Sequence, residues 1–404
     1  MRPYAWGDRH TIAGLQGRPV PDQPEAELWL GAHPSAPSCL VEAGEALDQA
    51  VSRDPVGVLG PGVAERFGRF PFLLKVLAAA KPLSIQVHPD RARAGSGFAR
   101  EQAAGIAQDD PKRIYRDDNH KPEILCALTS FEAKCGLRPL DQTMSLISIL
   151  AEAGGHPLDE LANRVEAAAS DPGRGLADII GWLVRLPTDQ ARVLVEAAVA
   201  GAGRLGGTAA STDGSPFGPE LEWTVRLDQF HQGDIGVVIA LLMNHVVLAP
   251  GQALFLETGS LHAYLAGAGV ELMASSDNVI RGGLTVKAVD VDELLVVVDT
   301  TPAPALVQTA TDGAHLFAAP IADFSLTRIG PDHIQHFEPI GPEIILVTSG
   351  EAIVSTLTGP PRSSSLGRGG AGLVRGTEGP YRVETGAATI AWRAGVGDLA
   401  LGHR

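Results

Sequence analysis

The stretch Leu83-Ser84-Ile85-Gln86-Val87-His88-Pro89 alternates apolar and polar side chains within strand-like sequence. Alternate side chains of an extended strand share a face, so Gln86 and His88 point the same way as Ser84. The apolar residues Leu83, Ile85 and Val87 then point into a core. A second polar run, Asp117-Asp118-Asn119-His120-Lys121-Pro122-Glu123, leads into another apolar segment. Three polar groups on one strand face, with a carboxylate nearby in the sequence, predict a built site.

The bulk composition limits the kinds of protein this chain encodes. Its 404 residues are too many for one ordinary core and predict two or three domains. Hydrophobic residues make up 45% and charged residues 20%, which is typical of a soluble globular protein. The net charge is -15, with no block of Lys or Arg, which argues against nucleic acid or an anionic membrane as partner.

Cysteine usage and the N-terminal sequence indicate the compartment. The three cysteines, Cys39, Cys126 and Cys135, are irregularly spaced, as expected in a reducing environment. Residues 1–8 contain no apolar segment of the kind found in signal peptides, and the longest apolar run, residues 235–243, is far shorter than a membrane span. We therefore expect a cytoplasmic enzyme.

The first part of the chain is predicted to be rich in strands and is followed by a helical block. Residues 72–77 and 124–128 are buried-strand candidates, whereas residues 25–29 and 61–67 are expected to be short helices. From about residue 140, Asp141 is positioned to cap a helix. The helical segments are residues 143–150, 159–169, 176–184, 188–198 and 219–244, with a loop at residues 201–218.

Strands resume at residue 246 and continue to the end of the chain. Residues 246–251 and 253–256 are the first of them, and the tail from about residue 310 has short strands at turn-spaced intervals. That spacing is typical of a jelly roll or sandwich. The prediction is a mainly β protein with a helical insertion. Its domains are residues 1–137 plus 240–305, residues 138–239, and residues 306–404.

Four side chains supply a mixed set of metal ligands. His88 and His262 offer imidazoles, Glu123 a carboxylate and Gln86 an amide. This mix suits Zn²⁺ or a similar divalent ion with an open coordination position better than a closed structural site. Only the fold could bring His262 to the other three ligands, and a lone His88 is equally compatible with a structural role.

Charged residues are concentrated in the apolar segment 262–287. They are Glu271, Asp277, Arg281 and Lys287. Ordinary turns between strands would also place charges here. However, Asp277-Asn278 and Gly282-Gly283 closely bracket Arg281, which fixes where its guanidinium points. A positioned arginine favours an anionic or enediolate-like species.

Two lysines are further candidates for a pocket. Lys75 interrupts the apolar run of residues 71–80, so it is either an edge residue reaching water or a cation lining a pocket. Lys121 lies two residues before Glu123 and should share its strand face. It is either an acid/base or substrate-binding group or an ordinary surface lysine.

Together these motifs resemble a known enzyme family. Residues 115–123 follow the pattern Tyr-x-Asp-x-Asn-His-Lys-Pro-Glu of type I mannose-6-phosphate isomerases (phosphomannose isomerases), which are zinc-dependent cupin enzymes. Residues 82–89 and 262–287 resemble two further signatures of that family, as do Tyr4-Ala5-Trp6-Gly7 and residues 26–31. The similarity is strongest over residues 1–137 and 240–300. Gly282 and Val286 depart from the family pattern, which has Ala and Pro there. Both departures lie in the turn from Arg281 to Lys287, so they affect where these two cations are placed.

The resemblance implies a cupin-type jelly-roll catalytic domain, a helical domain and a second, C-terminal cupin-like β domain. It implies one zinc ion per chain, held by Gln86, His88, Glu123 and His262. It also implies Arg281 at the reacting end of the sugar, Lys75, Ser84 and Lys287 as candidates for the phosphate, and Lys121 and Glu271 in the pocket.

The implied reaction interconverts mannose 6-phosphate and fructose 6-phosphate through a cis-enediol, in the carbohydrate metabolism that leads to GDP-mannose. Five candidates for the proton carrier stay open: a water molecule on the metal, His120, Lys121, Glu271 and Asp277. The expected partner is a small phosphosugar, and the expected state is a monomer or weak homo-oligomer.

Three other functions are compatible with the same residues. The first is an iron-dependent oxygenase, which Gln86 and the cations around the pocket disfavour. The second is a non-catalytic sugar-phosphate sensor that has kept the pocket. The third is an isomerase of another phosphosugar, such as glucose 6-phosphate.

Overall fold

The structure is a computed structural model that describes residues 1–206 and 217–400. Its first part, the N-terminal β unit, contains strands β1 (Glu27–Leu30), β2 (Cys39–Leu40), β3 (Glu45–Ala46), β4 (Phe72–Ala79), β5 (Ile85–Val87), β6 (Glu123–Ala127), β7 (Phe131–Leu137), β8 (Met243–Leu248), β9 (Gln252–Leu256), β10 (His262–Ala274), β11 (Ile280–Gly283) and β12 (Val307–Thr309). All of them except the β2–β3 pair join one 10-stranded antiparallel sheet.

The long strand β10 folds this sheet into two layers. Its second half lies between β4 and β6 in the order β1-β4-β10-β6-β9-β12. Its first half pairs with β5 and β7, which carry β11 and β8. The strand changes layer at Gly267, where φ is +115° and a Cβ would lie 2.5 Å from the Ser130 carbonyl oxygen. The inner faces of the two layers enclose a shared interior.

The helices are α1 (Thr11–Leu15), α2 (Leu47–Arg53), α3 (Pro55–Leu59), α4 (Pro61–Phe67), α5 (Arg91–Ala103), α6 (Leu140–Gly154), α7 (Asp159–Ala167), α8 (Pro172–Val184), α9 (Thr188–Gly206), α10 (Gly218–Phe230), α11 (Gly236–Ile239) and α12 (Val291–Val297). The predicted helical block is confirmed as α6–α11, which we call the helical unit. No helix in the described residues is long and apolar enough to cross a membrane.

The helical unit packs against the outer face of β5. Ile85 and Val87 are fully buried in a core that includes helix residues such as Leu146 and Ile180. Burial of each of these side chains contributes about 1.5–3 kcal/mol. Leu83 packs instead against the interior of the N-terminal β unit, so the prediction that it shares a core with Ile85 and Val87 is wrong. The strand begins only at Ile85, so alternation does not extend back to Leu83.

Four local predictions in the first two units need correction. Residues 25–29 do not form a helix: β1 (Glu27–Leu30) is a strand whose Glu27 and Trp29 are buried. Asp141 lies inside the first turn of α6, which begins at Leu140, and does not cap it. The predicted loop starts too early, because the Ala- and Gly-rich end of α9 continues to Gly206; residues 207–216 lie outside the described residues. The segment 219–244 is not one helix: α10 ends at Phe230, residues 231–235 form turns, and residues 236–242 are helical again before β8 begins.

The C-terminal β unit consists of β13 (Ala314–Leu316), β14 (Ser325–Ile329), β15 (Ile334–Phe337), β16 (Glu343–Ser349), β17 (Glu351–Thr356), β18 (Ser363–Gly367), β19 (Ala371–Val374), β20 (Tyr381–Thr385) and β21 (Ile390–Gly395). They form a 5-stranded sheet, β13-β14-β21-β16-β19, and a 4-stranded sheet, β15-β20-β17-β18. Residues of both sheets, such as Ile345 and Val383, share one core, as in a sandwich. Because β12 pairs with β9, the first sheet extends beyond the predicted domain boundary at residue 305.

Candidate metal centre and its pocket

Strand register places three of the predicted site residues in one row. Gln86 on β5 lies directly opposite His262 on β10 and, on its other side, opposite Arg281 on β11. Residues that face each other in antiparallel pairs project to the same side of the sheet. Neighbouring Ile85 and Val87 point outward into the helical unit, so this row projects into the interior of the β unit.

Three of the four predicted ligands converge in that interior. One ligand atom each from His88, Glu123 and His262 lies within 4.8 Å of the others. His88 Nε2 is 3.4 Å from Glu123 Oε1, and His262 Nε2 is 3.5 Å from Glu123 Oε2. All three residues are at most 2% exposed.

The ligand atoms have no other partners in the described residues. His88 Nε2, His262 Nε2 and Glu123 Oε2 are buried without a hydrogen bond, an arrangement that costs about 1–3 kcal/mol for each group. His88 Nδ1 donates to the Asn278 carbonyl at 2.7 Å, and His262 Nδ1 donates to the Ser260 carbonyl at 2.9 Å. Because carbonyls only accept, both Nε2 lone pairs are free and aimed at one centre. The donor set therefore fits a zinc ion.

The charges also match the forms that bind a metal. Burial alone would raise the pKa of Glu123, but the Lys121 ammonium and the nearby imidazoles hold that pKa well below its usual range. Burial, aided by Lys121, lowers the pKa of His88 to about 4. At neutral pH the carboxylate is therefore ionised and the His88 imidazole is neutral. Lys121 Nζ lies 3.1 Å from Glu123 Oε1, as the predicted shared face requires.

A second buried cluster, of one lysine and two glutamates, lies on the other layer of the same interior. Lys75 on β4 is in register with Glu271 on β10, and its Nζ is 2.8 Å from Glu271 Oε2 and 3.6 Å from Glu27 Oε1. Burial opposes the charge of Lys75, yet the carboxylates of Glu27, Glu271 and Glu123 raise its pKa. Burial raises the pKa of Glu271, with Lys75 acting in the opposite direction. Because two carboxylates already neutralise Lys75, the structure does not support the prediction that it binds the phosphate.

The segment between β10 and β11 is clipped to the loop before β6. The Asn278 side chain accepts from the Arg116 N–H at 2.7 Å and donates to the Asn119 carbonyl at 2.8 Å. Asp117 accepts from the Asp277 N–H at 2.7 Å. The fully buried side-chain amide of Asn278 thus connects the two segments, and the backbone carbonyl of the same residue orients His88.

A group of cations lies beside this segment. Arg281 is half-buried and Lys287 is exposed, and no carboxylate of residues 1–206 or 217–400 lies within ion-pair distance of either. The charge of Arg281 is the main cause that lowers the pKa of Lys287, and burial, followed by the charge of Arg116, lowers the pKa of Arg281. Ser84 is half-buried immediately before β5. Unpaired cations that repel one another are well suited to a dianion such as a phosphate ester.

Two predicted proton carriers lie in other surroundings. His120 faces the C-terminal β unit, where its Nε2 is 2.9 Å from Asp323 Oδ2 and 2.8 Å from an Arg91 nitrogen. His120 therefore contacts Asp323 and Arg91, whereas its neighbour Lys121 contacts the candidate metal ligand Glu123. Asp277 pairs with His33, with Oδ2 and Nε2 separated by 3.2 Å. Burial would raise the pKa of Asp277, but His33 holds it below its usual value.

Three residues of this interior were missed by the sequence analysis. Glu27 was assigned to a helix, although Glu27 and Trp29 alternate as inward residues of a strand do. Tyr264 lies two residues after His262, which places it on the same strand face; its buried hydroxyl has no hydrogen-bond partner among the described residues. Burial and the nearby carboxylates raise the pKa of Tyr264 well above its usual value. His33 gave no signal in the sequence pattern.

The two-layered β barrel with a His–Glu–His centre defines a metal-dependent protein of the cupin type. Comparison with known proteins narrows this class. Residues 1–140 match the family model described as phosphomannose isomerase type I, catalytic domain. The mannose-6-phosphate isomerase of Salmonella typhimurium is 38% identical over 333 residues, which is 80% of each chain. That of Schizosaccharomyces pombe is 32% identical over 396 residues, 91% of each chain.

Solved structures agree with the sequence relatives. The crystal structure of a zinc-bound mannose 6-phosphate isomerase superimposes with a TM-score of 0.82 at 32% identity, covering 98% of this chain and 97% of the other. A variant of the Salmonella typhimurium phosphomannose isomerase gives a TM-score of 0.83 with the same coverage. The chain belongs to the type I phosphomannose isomerase family.

Proposed function

We propose that this chain is a zinc-dependent isomerase that interconverts mannose 6-phosphate and fructose 6-phosphate through a cis-enediol. The observation that carries the proposal is the convergence of three buried ligand atoms without partners, from His88, Glu123 and His262, beside unpaired cations. Relatives named mannose-6-phosphate isomerase and a neighbour described as zinc-bound agree with it.

One zinc ion per chain is held by Gln86, His88, Glu123 and His262. The place of Gln86 in the set is supported by its register opposite His262. When bound there, zinc supplies Lewis-acid polarisation of the sugar's carbonyl and hydroxyl oxygens. The remaining chemistry belongs to side chains of this chain.

Glu271 is the proposed proton carrier. The reaction removes the C2 proton of the aldose and returns a proton to C1, while the O2 proton ends on O1. A carboxylate whose pKa is raised by burial is a stronger base than an exposed one, and the acid that it forms can return the proton to C1. Lys75 holds Glu271 Oε2 at 2.8 Å, so we assign Lys75 to positioning this base. Lys121 and Asp277 are the other side-chain candidates for the carrier.

The cations bind different parts of the anionic substrate. Arg281, in the row with Gln86 and His262, stabilises the negative charge that develops on the enediol oxygens. Lys287, with Ser84, binds the phosphate. Remote binding of the phosphate supplies energy that holds the opened sugar chain against the base. The substrate is the small phosphosugar partner expected from the sequence.

We also propose the domain division, compartment and assembly state expected from the sequence. Residues 1–137 plus 240–309 form the catalytic domain, residues 138–239 the helical domain, and residues 310–404 the C-terminal domain; the boundary moves from the expected residue 305 to residue 309 because β12 pairs with β9. The free thiols of Cys39, Cys126 and Cys135 support a reducing, cytoplasmic location. The assembly state is a monomer or weak homo-oligomer.

The test is an assay of mannose 6-phosphate conversion that detects fructose 6-phosphate. The protein is assayed as purified, after removal of metal by a chelator, and after zinc is returned. We expect activity in the first and third samples and its loss in the second. Glucose 6-phosphate is the matched control substrate, because it differs only in the configuration at C2. A zinc-loaded enzyme that converts glucose 6-phosphate but not mannose 6-phosphate would contradict the proposal.

A further inference from the structure

A cavity of about 330 Å³ lies in the seam between the N-terminal and C-terminal β units, away from the interior that holds the metal ligands. Val76 and Leu128 line it from one side, and Arg328, Arg368 and Trp392 line it from the other. No aspartate or glutamate among the described residues lines the cavity, although the whole chain carries a net charge of -15. A cationic cavity in an acidic protein calls for an explanation.

Arg328 lies on a face that is otherwise apolar. It belongs to β14, in register with Trp392 of β21, and projects to the same side as Leu326. Leu326 and Trp392 are both buried in the core that joins the two β units. Arg328 is half-buried there, and no carboxylate of residues 1–206 or 217–400 lies within ion-pair distance. A cation partly withdrawn from water without a counter-charge is costly, unless an anion joins it.

Arg368 also lines this cavity; the residue is exposed, and its backbone position is set by a tight contact between the units. It lies in the turn between β18 and β19, next to Gly369. The φ of Gly369 is +78°, and a Cβ there would lie 2.6 Å from the Leu15 carbonyl oxygen. Only glycine allows the backbone of this turn to approach α1 so closely, and this contact sets the backbone position of Arg368. Like Arg328, it has no carboxylate partner in the described part of the chain.

The hydroxyl groups of the cavity are already engaged. Ser349 Oγ donates to the Ala388 carbonyl at 2.7 Å, and Thr348 Oγ1 accepts from Trp392 Nε1 at 2.9 Å. The two guanidiniums are therefore the main donors left for a ligand. Guanidinium groups bind phosphate and carboxylate oxygens through paired hydrogen bonds, and the apolar wall suits a carbon skeleton.

We propose that this seam cavity binds a small organic oxyanion, a phosphate ester or a carboxylate of metabolite size, at a site separate from the catalytic pocket. Its volume is at the lower end of the range for small-molecule sites, about 300–1,000 Å³. An anion bound between Arg328 and the residues of the N-terminal unit contacts both units and stabilises their association. The proposal stands independently of the isomerase activity.

The experiment is equilibrium dialysis of the zinc-loaded enzyme against radiolabelled inorganic phosphate, the probe common to both sites. We expect about two phosphates per wild-type chain and about one in the double variant Arg328→Gln/Arg368→Gln. The KM of that variant for mannose 6-phosphate should be unchanged. Arg362→Gln is the matched control, because Arg362 belongs to the same unit but is paired with Glu378 at 3.0 Å. It should retain both phosphates.

A double variant that binds as much phosphate per chain as the wild type would overturn the proposal, whatever amount the catalytic pocket binds. If the glutamine variant fails to fold, Arg328→Lys/Arg368→Lys keeps the charges but loses the paired hydrogen bonds; it should bind the second phosphate more weakly, and unchanged affinity overturns the proposal. Displacement of the second phosphate by succinate identifies the ligand as a carboxylate or any oxyanion of this size. Displacement by glycerol phosphate alone identifies it as a phosphate ester.

Discussion

Lys75→Met removes the cation between two buried carboxylates. Lys75 Nζ lies 2.8 Å from Glu271 and 3.6 Å from Glu27, and these three residues are 6%, 2% and 6% exposed. Without the lysine, two carboxylates face each other in a site closed to water. Removing one member of a buried ion pair costs about 3–5 kcal/mol, and we expect the N-terminal β unit to lose that much of its free energy of unfolding.

The loss should depend on pH in a defined direction. The folded-state pKa of Lys75 is raised, so its stabilisation is present at neutral pH and disappears only above that pKa. Burial already raises the pKa of Glu271, and removing Lys75 raises it further. An acid with a raised pKa favours the folded state when protonated, so the deficit of the variant should shrink as pH falls from about 8 to about 5.

Amide hydrogen exchange of β4 and β10 measures the relevant opening free energy within the larger chain. The double variant Lys75→Met/Glu271→Gln should recover about 1–3 kcal/mol of the lost free energy of unfolding, because burying a neutral amide costs less than burying an unpaired carboxylate. Lys287→Met, at an exposed lysine, is the control and should change stability by about 0.5 kcal/mol or less. A deficit below about 1 kcal/mol for Lys75→Met, equal at both pH values and not relieved by Glu271→Gln, would refute the reasoning.

Three further predictions concern the site and its support. Arg281→Ala should lower kcat by about 100-fold or more with zinc content unchanged, as for a lost oxyanion donor; wild-type turnover would remove Arg281 from the mechanism. His88→Ala should lose zinc and activity together, because it removes one of the converging imidazoles; a variant with full zinc and full turnover would refute the ligand assignment. Asp323→Ala leaves Arg91 and His120 without their carboxylate and should lower the Tm, whereas Asp323→Asn should lower it less; an unchanged Tm for both would show that the link between the units is not stabilising.

The sequence predicted the alternation within β5, because alternation depends only on an extended backbone. The strand covers Ile85–Val87, with Gln86 on the face opposite to its two neighbours. The helical block from residue 140 is predictable for the same reason, since helix formation depends on neighbours in the sequence. The partnership with His262 is different, because the register of β10 with β5 sets it across more than 170 residues of chain.

The failures have a common physical cause. Glu27 lies inside the protein, paired with Lys75, and a charged residue at an inward position breaks the apolar alternation that identifies a strand. The pairing that makes its burial tolerable comes from another strand and leaves no mark near residue 27. His120 was one of the candidate proton carriers, but the structure pairs it with Asp323, which lies about 200 residues further along the sequence. The positions of buried charged residues are therefore the hardest to predict from the local sequence pattern.

In the proposed site, two imidazoles, a carboxylate and an amide hold one zinc ion without a thiolate. X-ray absorption at the zinc edge tests it directly, because Cys135 lies opposite His262 on the next strand and is the nearest alternative ligand in register. We expect a first shell of nitrogen and oxygen at about 2.0–2.2 Å with imidazole features. A sulfur scatterer at about 2.3 Å, or zinc bound with no imidazole contribution, would contradict it.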